Sequence, residues 1–99
     1  MKILALEKEV PGIADGQYEP HLREEARRVW DLHQAGVIRE MYFQADHSRA
    51  VLILECTDCR DAATVLDSLP LVRQGLIAFE LIPLVAYPGF ERLFGPGET

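Results

Sequence analysis

The segment Val37-Ile-Arg-Glu-Met-Tyr-Phe-Gln-Ala-Asp-His-Ser-Arg-Ala-Val-Leu-Ile-Leu-Glu55 decides the fold. It reads as two strands, 37–44 and 49–55, joined by a turn at Asp46-His47-Ser48. Strands separated by so short a loop pair as a hairpin. A helical pattern stands on either side. Before the hairpin, Leu22, Ala26, Val29, Trp30 and His33 recur at three- and four-residue spacing and give a helix one apolar face. Pro20 suits the first helical position, where its missing N–H is of no consequence, and Gly36 suits the C′ stop. After the hairpin, Asp58 reads as an N-cap, with Asp61 where a capping box takes an acid. Ala62, Val65, Leu66 and Leu69 supply that helix's apolar face, and Pro70 is expected to end it. The outermost elements are strands at 2–7 and 77–86, and a loop rich in Pro, Gly and Asp covers 10–19.

The resulting order β-α-β-β-α-β predicts one α+β domain over residues 1–99 of the ferredoxin-like kind. Its four-stranded antiparallel sheet would carry both helices on one face. A sheet with one wet face alternates apolar and polar residues. Here the third strand holds Val51-Leu-Ile-Leu54, and the fourth reads Ile-Ala-Phe-Glu-Leu-Ile-Pro-Leu-Val85. Two helices cover one face only, so the pattern predicts that a second copy of the chain covers the other, sheet to sheet. The tail, 87–99, contains Phe90 and Phe94 and is expected to cross to that partner.

Ten Lys and Arg against sixteen Asp and Glu leave 99 residues with a net charge of −6. Nucleic-acid backbones and anionic membrane surfaces both require clustered cations, so neither is an expected partner. No apolar run approaches the roughly 20 residues that span a bilayer. Residues 1–9 read as a strand rather than a cleavable signal, which makes the cytoplasm the expected location. Cys56 and Cys59 form a single C-x-x-C with no second pair, short of the about four ligands of a structural zinc site. His21, His33 and His47 fall at a helix start, a helix end and a turn, without ligand spacing. No metal is expected.

Leu69-Pro70-Leu71, after an amphipathic helix and before the last strand, resembles muconolactone isomerase. So does Gly36-Val-Ile-Arg39, which opens the second strand. Element order and chain length agree over about residues 1–90. The runs Trp30 to Gly36, Ala50 to Glu55, Leu69 to Val72 and Tyr87 to Phe94 resemble a muconolactone-isomerase-like group without an assigned substrate. The resemblance implies a dimeric α/β barrel, or a larger homo-oligomer built from it. It also implies cofactor-free acid–base chemistry on a small lactone or related organic acid. Glu25 falls where the isomerase carries an acid, and Arg39 matches its second-strand arginine. The sequence departs at Glu40, where a basic residue is expected, and at Tyr42, where another aromatic stands. A cofactor-independent monooxygenase or a dehydratase is the other enzymatic reading of such a barrel. A non-catalytic small-molecule-binding or stress-related module is the competing class.

The candidate catalytic residues are therefore Glu25, His33, Arg39 and Tyr42. Glu25 or His33 is the expected base, His33 because imidazole titrates near neutrality. Arg39 either clamps a substrate carboxylate through its fork or forms a surface ion pair. Tyr42 shares a face with Ile38 and Glu40 by the strand's period of two, which predicts a Tyr–Glu pair lining a pocket, or else Tyr42 is an amphipathic core residue. Trp30, Glu40 and Glu80 complete the expected pocket. Trp30 is a wall or a core residue. Among the strand acids Glu7, Glu55 and Glu80, each is near a strand end, paired or in a pocket, since a buried unpaired charge is costly. Glu80 interrupts the most apolar strand, either lining a pocket or pairing across a dimer interface.

Overall fold

The computed structural model describes residues 1–95. Strands β1 (Lys2–Lys8), β2 (Ile38–Phe43), β3 (Ala50–Glu55) and β4 (Ala78–Leu84) form one antiparallel sheet in the order β2-β3-β1-β4. Helix α1 (Leu22–Gln34) links β1 to β2, and α2 (Cys59–Leu66) with the single turn α3 (Pro70–Arg73) links β3 to β4. This is the expected ferredoxin-like α+β fold.

The period of two along each strand sorts the sheet's side chains into two faces. The register pairs Ile3 with Leu54 and Pro83, and Ala5 with Leu52 and Leu81. Of these, Ile3, Ala5, Leu52, Leu54 and Leu81 pack with Leu32 of α1, Ala62 and Leu66 of α2, and Leu69 in the main core, whereas Pro83 is exposed. A smaller cluster of Leu71, Leu76 and Ile77, with Ile13 and Tyr18 against it, closes one end of the layer. The opposite face carries Leu4, Leu6, Val51, Ile53, Ile82 and Leu84, which the single chain leaves half-buried.

Local chemistry explains where the helices begin and end. Three-ten turns at Asp15–Gln17 and Glu19–His21 occupy the early loop, so Pro20 sits in the second of them and α1 starts at Leu22. At the far end Gly36 adopts φ +79°, and its N–H and that of Val37 donate to the carbonyls of His33 and Leu32, both at 3.0 Å. That is a complete Schellman stop. Asp58 caps α2 by accepting the Asp61 N–H at 2.8 Å. The Asp61 carboxylate reaches past the cap and accepts the Thr57 N–H at 2.9 Å.

Three expectations are corrected here. Pro70 does not end α2, which stops at Leu66; Pro70 opens α3, its ring occupying the first turn where no N–H is needed. Gly75, φ +74°, then stops α3 with the same pair of bonds, Gly75 N–H to Val72 and Leu76 N–H to Leu71, each 2.9 Å. Tyr42 does not share a face with Ile38. The β2–β3 register shifts between Ile38, opposite Leu54, and Glu40, opposite Ile53, so Arg39 is an extra residue in a bulge. Ile38 therefore faces the helices, whereas Glu40 and Tyr42 face away from them. Nor do Trp30 and His33 belong to the buried stripe of α1: both are exposed, and Leu32 is the residue that α1 buries.

Beyond β4 a three-ten turn, Gly89–Leu93, carries the aromatic tail. Tyr87 and Phe90 pack edge to face at 5.2 Å, yet Phe90, Leu93 and Phe94 are all exposed, Phe94 to 84%. The radius of gyration is 17.1 Å, against about 13 Å for a compact domain of this length. The longest axis, 63 Å, is more than twice the next, 29 Å. No helix among the described residues is long and apolar enough to cross a membrane.

Candidate functional site

A cavity of about 420 Å³ lies in the layer between the helices and the sheet. That volume is in the range of small-molecule sites. From α1 come Leu22, Glu25, Ala26 and Val29; from β2 and β3 come Met41, Tyr42, Phe43, Ala50 and Leu52. Leu69, Leu71, Ile77 and Phe79 close the side beneath α3 and β4, and Glu7 of β1 completes the wall. Apolar side chains dominate. The polar exceptions are two carboxylates, because Tyr42 borders the cavity from β2 with its side chain on the face turned away from the helices and its hydroxyl on Glu40.

Glu25 reaches this wall because it stands one turn before Val29, on the side of α1 that faces the sheet. The Leu71 N–H donates to its Oε1 at 2.9 Å, so Glu25 satisfies an open donor at the start of α3. Glu7 continues the helix-facing alternation of Ile3 and Ala5. Where the β1–β3 register ends at Leu6 and Val51, the Ala50 N–H donates to Glu7 Oε1 at 2.9 Å. Burial pushes the Glu25 carboxyl above the ordinary carboxylate range, and the nearby Glu7 charge pushes the same way. The Leu71 N–H works against both without cancelling them. A carboxyl so raised is suited to exchanging a proton with carbon or oxygen acids.

The seven residues expected to form the site do not converge. Glu25 and Tyr42 line the cavity. The Tyr42 hydroxyl donates to Glu40 Oε1 at 2.9 Å, and that carboxylate pushes the phenol's pKa up. Trp30, 57% exposed, lies instead on an outer groove between α1 and α3, beside Arg23, Arg27 and Arg73. His33 and Arg39 both hold the β2 bulge. His33 donates from Nδ1 to the Ile38 carbonyl at 2.9 Å, and Arg39 Nε donates to the Gly36 carbonyl. Glu80 stands exposed on the sheet face away from the helices, opposite Leu6.

Glu7 is the residue whose place in the site the sequence did not single out, although the alternation Ile3, Ala5, Glu7 signals an acid on the core side. The two cysteines are free; Cys56 is buried in the main core, where desolvation pushes its thiol up, and Cys59 lies in the first turn of α2. No group of three or more His, Cys, Asp and Glu placed to hold a metal occurs among the described residues.

No protein-family model and no curated protein matches the chain. Solved structures do. A crystal structure of muconolactone isomerase aligns with a TM-score of 0.73, over 89% of this chain and 92% of that one, at 17% identity. The chain has the fold of muconolactone isomerase. At that identity the likeness extends to the architecture, and the cavity's chemistry is read from this chain's own residues.

Proposed function

We propose that this chain is a cofactor-free, cytoplasmic enzyme that moves a proton within a small lactone or related organic acid, with Glu25 as the base. One observation carries the reading: a half-buried carboxylate with a raised pKa faces an apolar cavity of ligand size. In its ionised form Glu25 takes a proton from a ring carbon that the carbonyl acidifies, directly or through the ring double bond, and returns it at another carbon of the conjugated enolate. Atoms and charge balance without a co-reactant. Apolar walls serve this chemistry by excluding the water that would quench the enolate. Tyr42 contributes to the wall, while His33 and Arg39 position β2 by holding its bulge. Trp30, Glu40 and Glu80 have no contact with this chemistry.

The working form is a homodimer, or a larger assembly of dimers, joined through the sheet face that the helices leave uncovered. The six aliphatic side chains on that face and the exposed aromatic tail support this reading.

A spectrophotometric assay of the purified protein on an uncharged unsaturated five-membered lactone tests the function. Turnover is expected, with a loss of about 10²-fold or more in Glu25→Gln. Arg39→Ala should lose less, through the position of β2 alone. Turnover unchanged in Glu25→Gln would remove Glu25 from the mechanism. No turnover in the intact wild-type protein would favour a non-catalytic binding module, in which Glu25 and Glu7 serve only the backbone donors they accept.

A further inference from the structure

We infer that the cavity admits uncharged ligands and turns away carboxylates, so that the substrate of the proposed proton transfer is a neutral lactone. This rests on the cavity being the reactive site, and it narrows the substrate class that such a site takes. An anion needs a cation, or free N–H groups, within hydrogen-bond reach. Among the described residues the wall has no Lys, Arg or His. Its acidic groups are the carboxyls of Glu7 and Glu25, whose ionised forms are negative. The backbone donors at those two positions are already engaged, Ala50 N–H by Glu7 and Leu71 N–H by Glu25. The cationic residues Arg23, Arg27 and Arg73 border the other groove, outside α1. Arg39 is occupied at the bulge and is not part of the wall.

A carboxylate entering this cavity would lose its hydration, find no donor and meet two like charges. A neutral lactone loses little hydration, fits against Val29, Leu52, Leu71 and Phe79, and presents a weakly acidic C–H to Glu25. Glu25 Oε1 is held by Leu71, so Oε2 is the oxygen that faces this role.

The test is equilibrium binding to the intact protein at pH 7, followed by NMR line shifts of two probes. One is an unsaturated five-membered lactone with a methyl substituent; the other is the same ring with a carboxymethyl substituent. The neutral probe is expected to bind saturably, and the charged one at least about tenfold more weakly. Replacing the acids one at a time, Glu7→Gln and Glu25→Gln, should narrow that ratio, because each amide keeps its backbone acceptor and removes a like charge. Equal or tighter binding of the charged probe overturns the inference, as does failure of both probes to bind. Binding is read without turnover. If Glu25→Gln leaves turnover intact while neutral selectivity holds, the base assignment fails and the selectivity stands.

Discussion

Glu25 shows how one side chain takes on its character from where it is held. Its carboxylate accepts one backbone N–H, which favours the charged form, but burial and the neighbouring Glu7 outweigh that bond. The folded protein therefore disfavours ionised Glu25 relative to the unfolded chain, whose reference value is 4.5. Its contribution to stability is whole below that value and is lost as pH rises through the higher folded value. Glu25→Gln keeps an oxygen for the Leu71 N–H and cannot ionise. Urea unfolding should thus find the variant more stable at pH 7, by less than about 1 kcal/mol because half the group still meets solvent. The gain should vanish near pH 4. A variant less stable at pH 7 would show that the carboxylate is needed by the fold. The acid itself was legible in the sequence as a residue near the start of the first helix. Its environment was not, since neither Leu71 nor Glu7 is near it in sequence.

At the scale of elements, the junction between α1 and β2 joins a local signal to a non-local one. Gly36 was readable as a helix stop because only glycine takes a positive φ there without strain. A Cβ at Gly36 would come no closer than 3.8 Å to the Arg39 side chain, so packing would tolerate it. The whole penalty of Gly36→Ala is therefore conformational, about 1 kcal/mol, read as a drop in thermal midpoint. No drop would mean that the left-handed turn is not retained in solution. His33→Ala should remove the bond to the Ile38 carbonyl and cost a further ~1 kcal/mol. The bulge at Arg39 had no signature in the hydrophobic pattern, because it is created by pairing with Leu54 and Ile53 across the hairpin. That single extra residue turned Glu40 and Tyr42 away from the helices. It also separated Tyr42 from Ile38, with which strict alternation had grouped it.

For the whole molecule, the uncovered sheet face sets the expectation. Leu4 and Ile53 are paired at the centre of that face, on the two inner strands. Ile53→Lys would place a charge in the middle of the proposed dimer and leave the helix-side core untouched. Sedimentation equilibrium should find a dimeric wild type and a variant weakened by about 100-fold or more. A wild type that stays monomeric at tens of micromolar, roughly the range where weak dimers associate, would sink the sheet-to-sheet assembly.

The sequence by itself determined the four strands and the two main helices, their order, the antiparallel sheet and the apolar character of both its faces. Alternation, helical spacing, caps and stops all act over a few residues, so they are written locally. Only the tertiary structure decided what shares a wall. It brought Glu7 to Glu25, turned Tyr42 to Glu40, and spent His33 and Arg39 on a bulge. Those outcomes depend on register between strands and on how α1 lies across the sheet, which no short window of sequence contains.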